Sequence, residues 1–172
     1  MNKEIPKSSW MATHIPLLVR VFDKSEGDVL EIGTGYFSTL LLKWLCTMTG
    51  RTLYSYESRE HWYNRAKNKN NPFHKVIYCP NWDDADFDNR KWGLVFIDHG
   101  PNTRRIVEIK RLADKTDYMV IHDTQPNSKN PDLPTDYHYE KIWSLFKNRY
   151  DYKKAMPWTT VVSNFKDLSD IE

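Results

Sequence analysis

The 172-residue sequence has very little cysteine: Cys46 and Cys79 are the only two, and no pair is spaced Cys-x-x-Cys. A disulfide framework is thereby excluded and a thiolate zinc site disfavoured. Two isolated thiols suit a reducing compartment. A charge excess of one sign is also missing, since 25 Lys and Arg stand against 23 Asp and Glu, for a formal net charge of +2. A dedicated nucleic-acid binder normally carries a basic excess or stripe, so no nucleic-acid partner is expected. No apolar run approaches the roughly 20 residues that span a bilayer, so no membrane partner is expected either. The opening residues are broken by Pro6 and Pro16 and interrupted by charges, and they hold no apolar core of a secretory signal. A cytoplasmic location is the expectation. Internal repeats and low-complexity stretches are absent.

What the chain does have is core material. Hydrophobic residues make up 40% and aromatics 14%, with seven Trp and ten Tyr, which suits one packed domain over 1–172 rather than a disordered chain. Short β-branched or aromatic runs predict strands at Val29–Ile32, Thr52–Tyr56, Lys75–Cys79, Gly93–Ile97 and Tyr118–Ile121. Helical spacing predicts helices over Phe37–Met48, Glu60–Lys69 and Thr103–Ala113. Strands alternating with helices, and apolar along their whole length, predict a parallel sheet covered on both faces. Apolar spacing from Ser8 to Asp23 adds an N-terminal helical segment, 1–24, expected to lie across the sheet edge. Near the other end, Tyr137–Arg149 reads as a helix. Tyr150–Met156 and Thr159–Asn164 then read as an antiparallel hairpin. The fold class is therefore α/β: a three-layer sandwich with a seven-stranded, mostly parallel sheet and a terminal antiparallel hairpin. Residues 124–136, rich in Pro, Asn and Ser, form a connection long enough to serve as an active-site loop.

The sharpest chemical signal is the run from Glu31 to Ser38, Glu-Ile-Gly-Thr-Gly-Tyr-Phe-Ser. A buried strand ends, Gly33 and Gly35 turn the chain, and an apolar helix opens. Glycine lets a ligand approach the backbone, and a helix N-terminus offers free N–H groups. An acid, Glu57, follows at the tip of the next strand, where a carboxylate accepts ribose hydroxyls. The third glycine of a dinucleotide fingerprint is replaced by Ser38. Glu31 would repel a pyrophosphate and attract a ligand carrying an amino group.

This run resembles the Glu-x-Gly-x-Gly signature of class I S-adenosylmethionine (SAM)-dependent methyltransferases, and the terminal hairpin and Glu57 resemble theirs as well. The resemblance implies a Rossmann-like, SAM-binding sheet ordered three-two-one-four-five-seven-six. It implies that Glu31, Gly33, Thr34 and Gly35 hold the methionine end of the cofactor and that Ser38 caps the helix. Glu57 would bind ribose and Ser58 would border the adenine. Asn81, Trp82 and Asp83, after the third strand, would contact the adenine ring, with Trp82 stacking on it.

Strand four ends Phe-Ile-Asp98-His99 and strand five ends Ile-His122-Asp123-Thr124. Two Asp/His pairs at strand tips are expected to converge on one crevice, with Asp98 beside both the cofactor and the acceptor. Phe-Ile-Asp-His resembles the strand-four end of metal-dependent catechol-type O-methyltransferases. That likeness implies magnesium on Asp98 and Asp123, with Thr124 where the family has Asn. Two carboxylates and a threonine hold magnesium poorly, so metal-independent chemistry is expected, with His99 or His122 as general base. Arg104 and Arg105 at the start of the fourth helix would suit an anionic group on the substrate. The aromatic-flanked Pro-Pro motif of base N-methyltransferases and the Pro-Cys nucleophile of cytosine-C5 enzymes do not occur after strand four. The reading is SAM-dependent O-methylation of a small or sugar-like acceptor. The alternatives are a SAM-binding protein without transferase activity and a nucleotide-dependent enzyme of another class on the same fold.

Overall fold

The computed structural model describes residues 9–67, 71–126 and 137–171. The first residues of the expected N-terminal segment, the end of the helix expected to Lys69 and residues 127–136 of the expected loop lie outside them. Strands β1 (Val29–Ile32), β2 (Leu53–Glu57), β3 (His74–Tyr78), β4 (Trp92–Ile97), β5 (Thr116–His122), β6 (Asn148–Tyr152) and β7 (Thr159–Ser163) form one sheet in the order β3-β2-β1-β4-β5-β7-β6. The first five are parallel, and β7 runs antiparallel between β5 and β6. This is the order that the resemblance implied.

The strand sequences explain the layers. β1, β4 and β7 are buried at every position, as strands covered on both faces must be. Side chains alternate between the faces. Val95, Ile97, Met119 and Ile121 meet Ile109 and Leu112 of α4 (Arg105–Leu112) on one side. Leu94, Phe96, Tyr118 and Val120 meet Leu17, Leu18, Val21 and Phe22 of α1 (Ile15–Lys24) and Leu42 and Cys46 of α2 (Ser38–Thr49) on the other. The short α3 (Glu60–Ala66) rests against β2 and β3 and buries none of its residues. No helix among the described residues is long and apolar enough to cross a membrane.

Two expectations fail, each for a physical reason. The N-terminal segment does not lie across the sheet edge: α1 packs on β4, β5 and β7. Its four buried side chains at positions 17, 18, 21 and 22 form a stripe that needs a sheet face to cover it. Pro16 sits in the first turn, where its missing N–H costs nothing. A separate 3-10 turn, Ser9–Ala12, leaves Thr13 and His14 as the joint between the two pieces. The helix expected over Tyr137–Arg149 is also absent. Two 3-10 turns, Tyr139–Lys141 and Trp143–Leu145, replace it, and Arg149 belongs to β6. Tyr137 and Tyr139 stack face to face at 5.1 Å, with His138 between them at a φ of 52°. A helix would point residues two apart in different directions, so that stack forbids it.

The register positions the site. Ile32 lies beside Ile97, and Ile97 beside Ile121. Gly33, Asp98 and His122 therefore share one row at the carboxyl edge. Strand order reverses between β1 and β4, and that switch point is where open α/β sheets leave a crevice for ligands.

Candidate active site

The two glycines of the turn after β1 play different parts. Gly33 has a φ of 88°, and a Cβ there would meet the His99 Cα at 2.6 Å and the Asp98 carbonyl oxygen at 2.8 Å. The end of β4 demands this glycine, whatever binds. At Gly35 a Cβ would meet only the Ser38 Oγ, at 3.3 Å. Gly35 borders two cavities. One of about 360 Å³ is lined by Thr34, Lys43, Trp62 and Arg65 among others. The other, a cleft of about 80 Å³, is lined by Trp10, His14, Tyr36, Asp98, His122 and Asp123 among others. A side chain at position 35 would enter cavity space rather than packed protein.

A buried carboxylate holds the turn. Glu31 is fully buried, and its Oε1 accepts hydrogen bonds from the Ser38 Oγ (2.7 Å) and the Thr39 Oγ1 (2.9 Å). Its Oε2 accepts one from the Ser55 Oγ (2.6 Å), which lies 2.9 Å from the His74 Nε2. The Thr39 Oγ1 in turn accepts the Gly35 N–H at 2.9 Å. Glu31 thus faces its own chain instead of a ligand. Ser38 is turned toward Glu31 and does not cap α2, which Phe37 precedes with no side-chain cap. Burial pushes the Glu31 carboxyl up from its usual 4.5 to about 7, although the three hydroxyls favour the ionised form.

Glu57 holds the other side of the turn. Its Oε2 accepts the Thr34 N–H (2.8 Å) and the Thr34 hydroxyl (2.9 Å), and its Oε1 accepts the Arg59 N–H (2.8 Å). Ser58 is half-buried beside it. Among the residues expected at adenine, Asn81 is exposed and its Oδ1 accepts the Asp83 N–H at 3.2 Å. Asp83 is exposed and paired with Arg104 at 2.6 Å. Trp82 is a core residue: it is 4% exposed, donates its indole N–H to the Gly100 carbonyl at 3.0 Å and stands edge-on to His99. Its ring is not presented for stacking.

At the tips of β4 and β5, Asp98, His122 and Asp123 converge as expected, and His99 does not join them. The His99 ring lies under Trp82, with its Nε2 3.3 Å from Glu108. Burial lowers its pKa despite that carboxylate, leaving a neutral packing residue. The Arg105 guanidinium ties the tips together. It reaches the Asp98 Oδ1 (2.8 Å), the Asp123 Oδ2 (3.2 Å) and the carbonyls of His99 (2.7 Å) and His122 (3.2 Å). Arg104 pairs with Asp83 and Glu108. Both arginines expected at a substrate anion are therefore engaged within the chain, and Arg105 is buried.

Sequence reasoning missed His14. The packing of α1 on the sheet face carries it to the cleft, where one ligand atom from each of His14, Asp98 and His122 lies within 4.8 Å of the others. Burial opposes charge at both Asp98 and His122. The His122 and Arg105 cations nonetheless hold the Asp98 carboxyl well below the carboxylate range, and Asp98 raises His122. Burial, aided by His122, pushes His14 down to about 3. The oxygens implied by the catechol-type likeness have partners within the chain. The Thr124 hydroxyl is buried and bonded to Thr160 at 2.8 Å, and Asp123 accepts from the Tyr137 hydroxyl (2.8 Å) as well as from Arg105.

No family profile matches this chain, and no curated protein sequence matches it. Solved structures do. A proposed O-methyltransferase from Klebsiella pneumoniae is similar at a TM-score of 0.65 and 12% identity, over 96% of this chain and 84% of that one. The N-terminal domain of human METTL16 in complex with S-adenosylhomocysteine (SAH) is similar at 0.58 and 15%, over 96% and 74%. The human METTL16 catalytic domain bound to a hairpin of the MAT2A 3′ untranslated region is similar at 0.59 and 14%, over 96% and 74%. The fold is that of the class I SAM-dependent methyltransferases.

Glu31 generates a pH signature. A carboxyl raised from 4.5 to about 7 in the folded state binds its proton more tightly there than in the unfolded chain. Its stabilising contribution is full below 4.5 and is lost as the pH rises to about 7. Urea unfolding of the native chain and of Glu31→Gln, at a series of pH values across that window, is expected to show the variant losing less stability as pH rises. Equal slopes would contradict the assignment.

Proposed function

We propose that this chain is a SAM-dependent methyltransferase that methylates a hydroxyl on a small or sugar-like acceptor. One observation supports the reading above the others: Gly35, Asp98, His122 and His14 line a single cleft at the switch point of the sheet. SAM supplies a methyl group on a sulfonium that departs as a neutral thioether. The chain's own residues supply the rest. Glu31 and Glu57 fix the glycine turn, and Gly35, which puts no side chain into the cleft, leaves room for the methionine end. We assign the ribose hydroxyls to the Glu57 Oε1, which accepts the Arg59 N–H.

Transfer requires in-line approach of the acceptor oxygen and removal of its proton. The group formed by Asp98, His122 and His14 faces the cleft where that oxygen must stand, and we assign it this task. His99 has no part in it. A nucleic-acid acceptor is the second reading. The human METTL16 domain is recorded with an RNA hairpin, and the larger cavity beside Gly35 carries Lys43, Arg65 and Lys67 with no acidic residue in its lining. RNA hairpins therefore belong in the acceptor panel beside phenols and sugars, and methylation of RNA alone would transfer the assignment to them.

Calorimetry with SAH tests the cofactor half. Gly35→Val is expected to keep the native unfolding midpoint and to weaken SAH at least tenfold, because its side chain fills the cleft rather than the core. Unchanged affinity would misplace the cofactor. For the chemical half, Asp98→Asn is expected to lower kcat by about 100-fold or more, the range for loss of acid–base assistance. Its SAH affinity should stay within a few-fold of the native value. Loss of SAH binding by a folded variant would make Asp98 a cofactor contact only.

A further inference from the structure

His14 is difficult to explain as a packing residue. It is 2% exposed, and neither ring nitrogen has a hydrogen-bond partner among the described residues. A buried imidazole with both nitrogens unsatisfied is costly and calls for a reason. Its ring stands edge-on to His122 at 4.8 Å between centroids, and the two rings and Asp98 border the same cleft.

The hydrogen bonds around His122 narrow the reason. The Thr13 hydroxyl has one proton and lies 2.9 Å from the Pro157 carbonyl, which can only accept it. The His122 Nε2, 3.0 Å from the same hydroxyl, must then be the donor. The His122 Nδ1 then faces the Asp98 Oδ2 at 3.3 Å; a proton held there pairs the two groups, and a metal cation that displaces it finds two ligand atoms already at that spacing. The unpartnered His14 ring stands alongside this pair. Arg105 occupies the other Asp98 oxygen and leaves Oδ2 free for this role.

We propose that His14, Asp98 and His122 form a three-ligand site for a divalent transition cation of the zinc–cobalt class, with its open position facing the acceptor cleft. Ligand atoms about 2.0–2.1 Å from such a cation in tetrahedral geometry lie roughly 3.3–3.4 Å apart. The Asp98–His122 pair already has that spacing at 3.3 Å, and His14 needs a modest approach. Two imidazoles and one carboxylate suit zinc or cobalt, whereas magnesium prefers an all-oxygen set. Thr13 is the outer partner that fixes the His122 tautomer, a role that ligating histidines regularly need filled. The proposal rests on the methyltransferase reading for its function and on the donor geometry for its existence.

The test uses the full chain, stripped with chelator and dialysed. Zinc(II) is titrated by calorimetry, cobalt(II) by visible absorption, and SAH separately on the same preparation. The expected result is one equivalent of either metal, with cobalt bands of a four- or five-coordinate ion. His14→Ala and His122→Ala should each weaken the metal by more than about 100-fold, beyond the cost of losing an outer partner. Thr13→Val should weaken it about 10–100-fold. His14→Gln serves as the second variant should His14→Ala fail to fold. SAH affinity should stay within a few-fold in every folded variant. A chain that binds SAH but no metal, or metal binding indifferent to His14 and His122, overturns the site. Metal binding that responds to these variants in a chain blind to SAH upholds the site and overturns the cofactor reading instead.

Discussion

The glycine turn after β1 depends on a carboxylate that never meets solvent. Glu31 accepts from Ser38, Thr39 and Ser55, and through Thr39 it fixes the Gly35 N–H. A buried carboxylate survives only when its lone pairs are filled, and the hydroxyls that fill them come from β2 and from the first turn of α2. The network therefore locks strand, turn and helix into one geometry. Thr34, held by Glu57, completes it from the other side. The two carboxylates that a nucleotide-binding reading assigns to the ligand are first of all the braces that shape its seat.

Arg105 does the same work at the tips of β4 and β5. One buried guanidinium bonds to Asp98, Asp123 and two main-chain carbonyls, so removing it would leave two carboxylates facing each other. Tyr137 and Tyr139 close over this group, with their hydroxyls on Asp123 and on the His122 carbonyl. That engagement is why the segment after the loop turns twice in 3-10 form instead of running as a helix.

The strands were legible because periodicity and apolar runs report burial directly, whereas their order was legible only through the resemblance to class I methyltransferases. The glycine turn and the convergence of Asp98 with His122 were legible for the same reason, since each sits at the end of a readable strand. What was not legible depends on tertiary contacts. Nothing in the residues around Trp82 separates a stacking platform from a core indole bonded to Gly100. Nothing in Asp98-His99 tells which of the two side chains faces the crevice. Gly33 and Gly35 look alike in the sequence, yet one is required by the neighbouring strand end and the other borders open space. His14 appears only as a polar residue ahead of an apolar stripe. Its place beside Asp98 follows from α1 lying on the sheet face rather than at the edge.

We propose that SAM lies along the switch point with its reactive end toward Asp98 and His122. The most direct measurement is a crystal structure of the chain grown with SAH. The account predicts the homocysteine end against Gly35, the ribose at the Glu57 Oε1 and the sulfur facing the cleft that Asp98, His122 and His14 share. A nucleoside found away from Gly35, or a sulfur pointing away from that cleft, would contradict it.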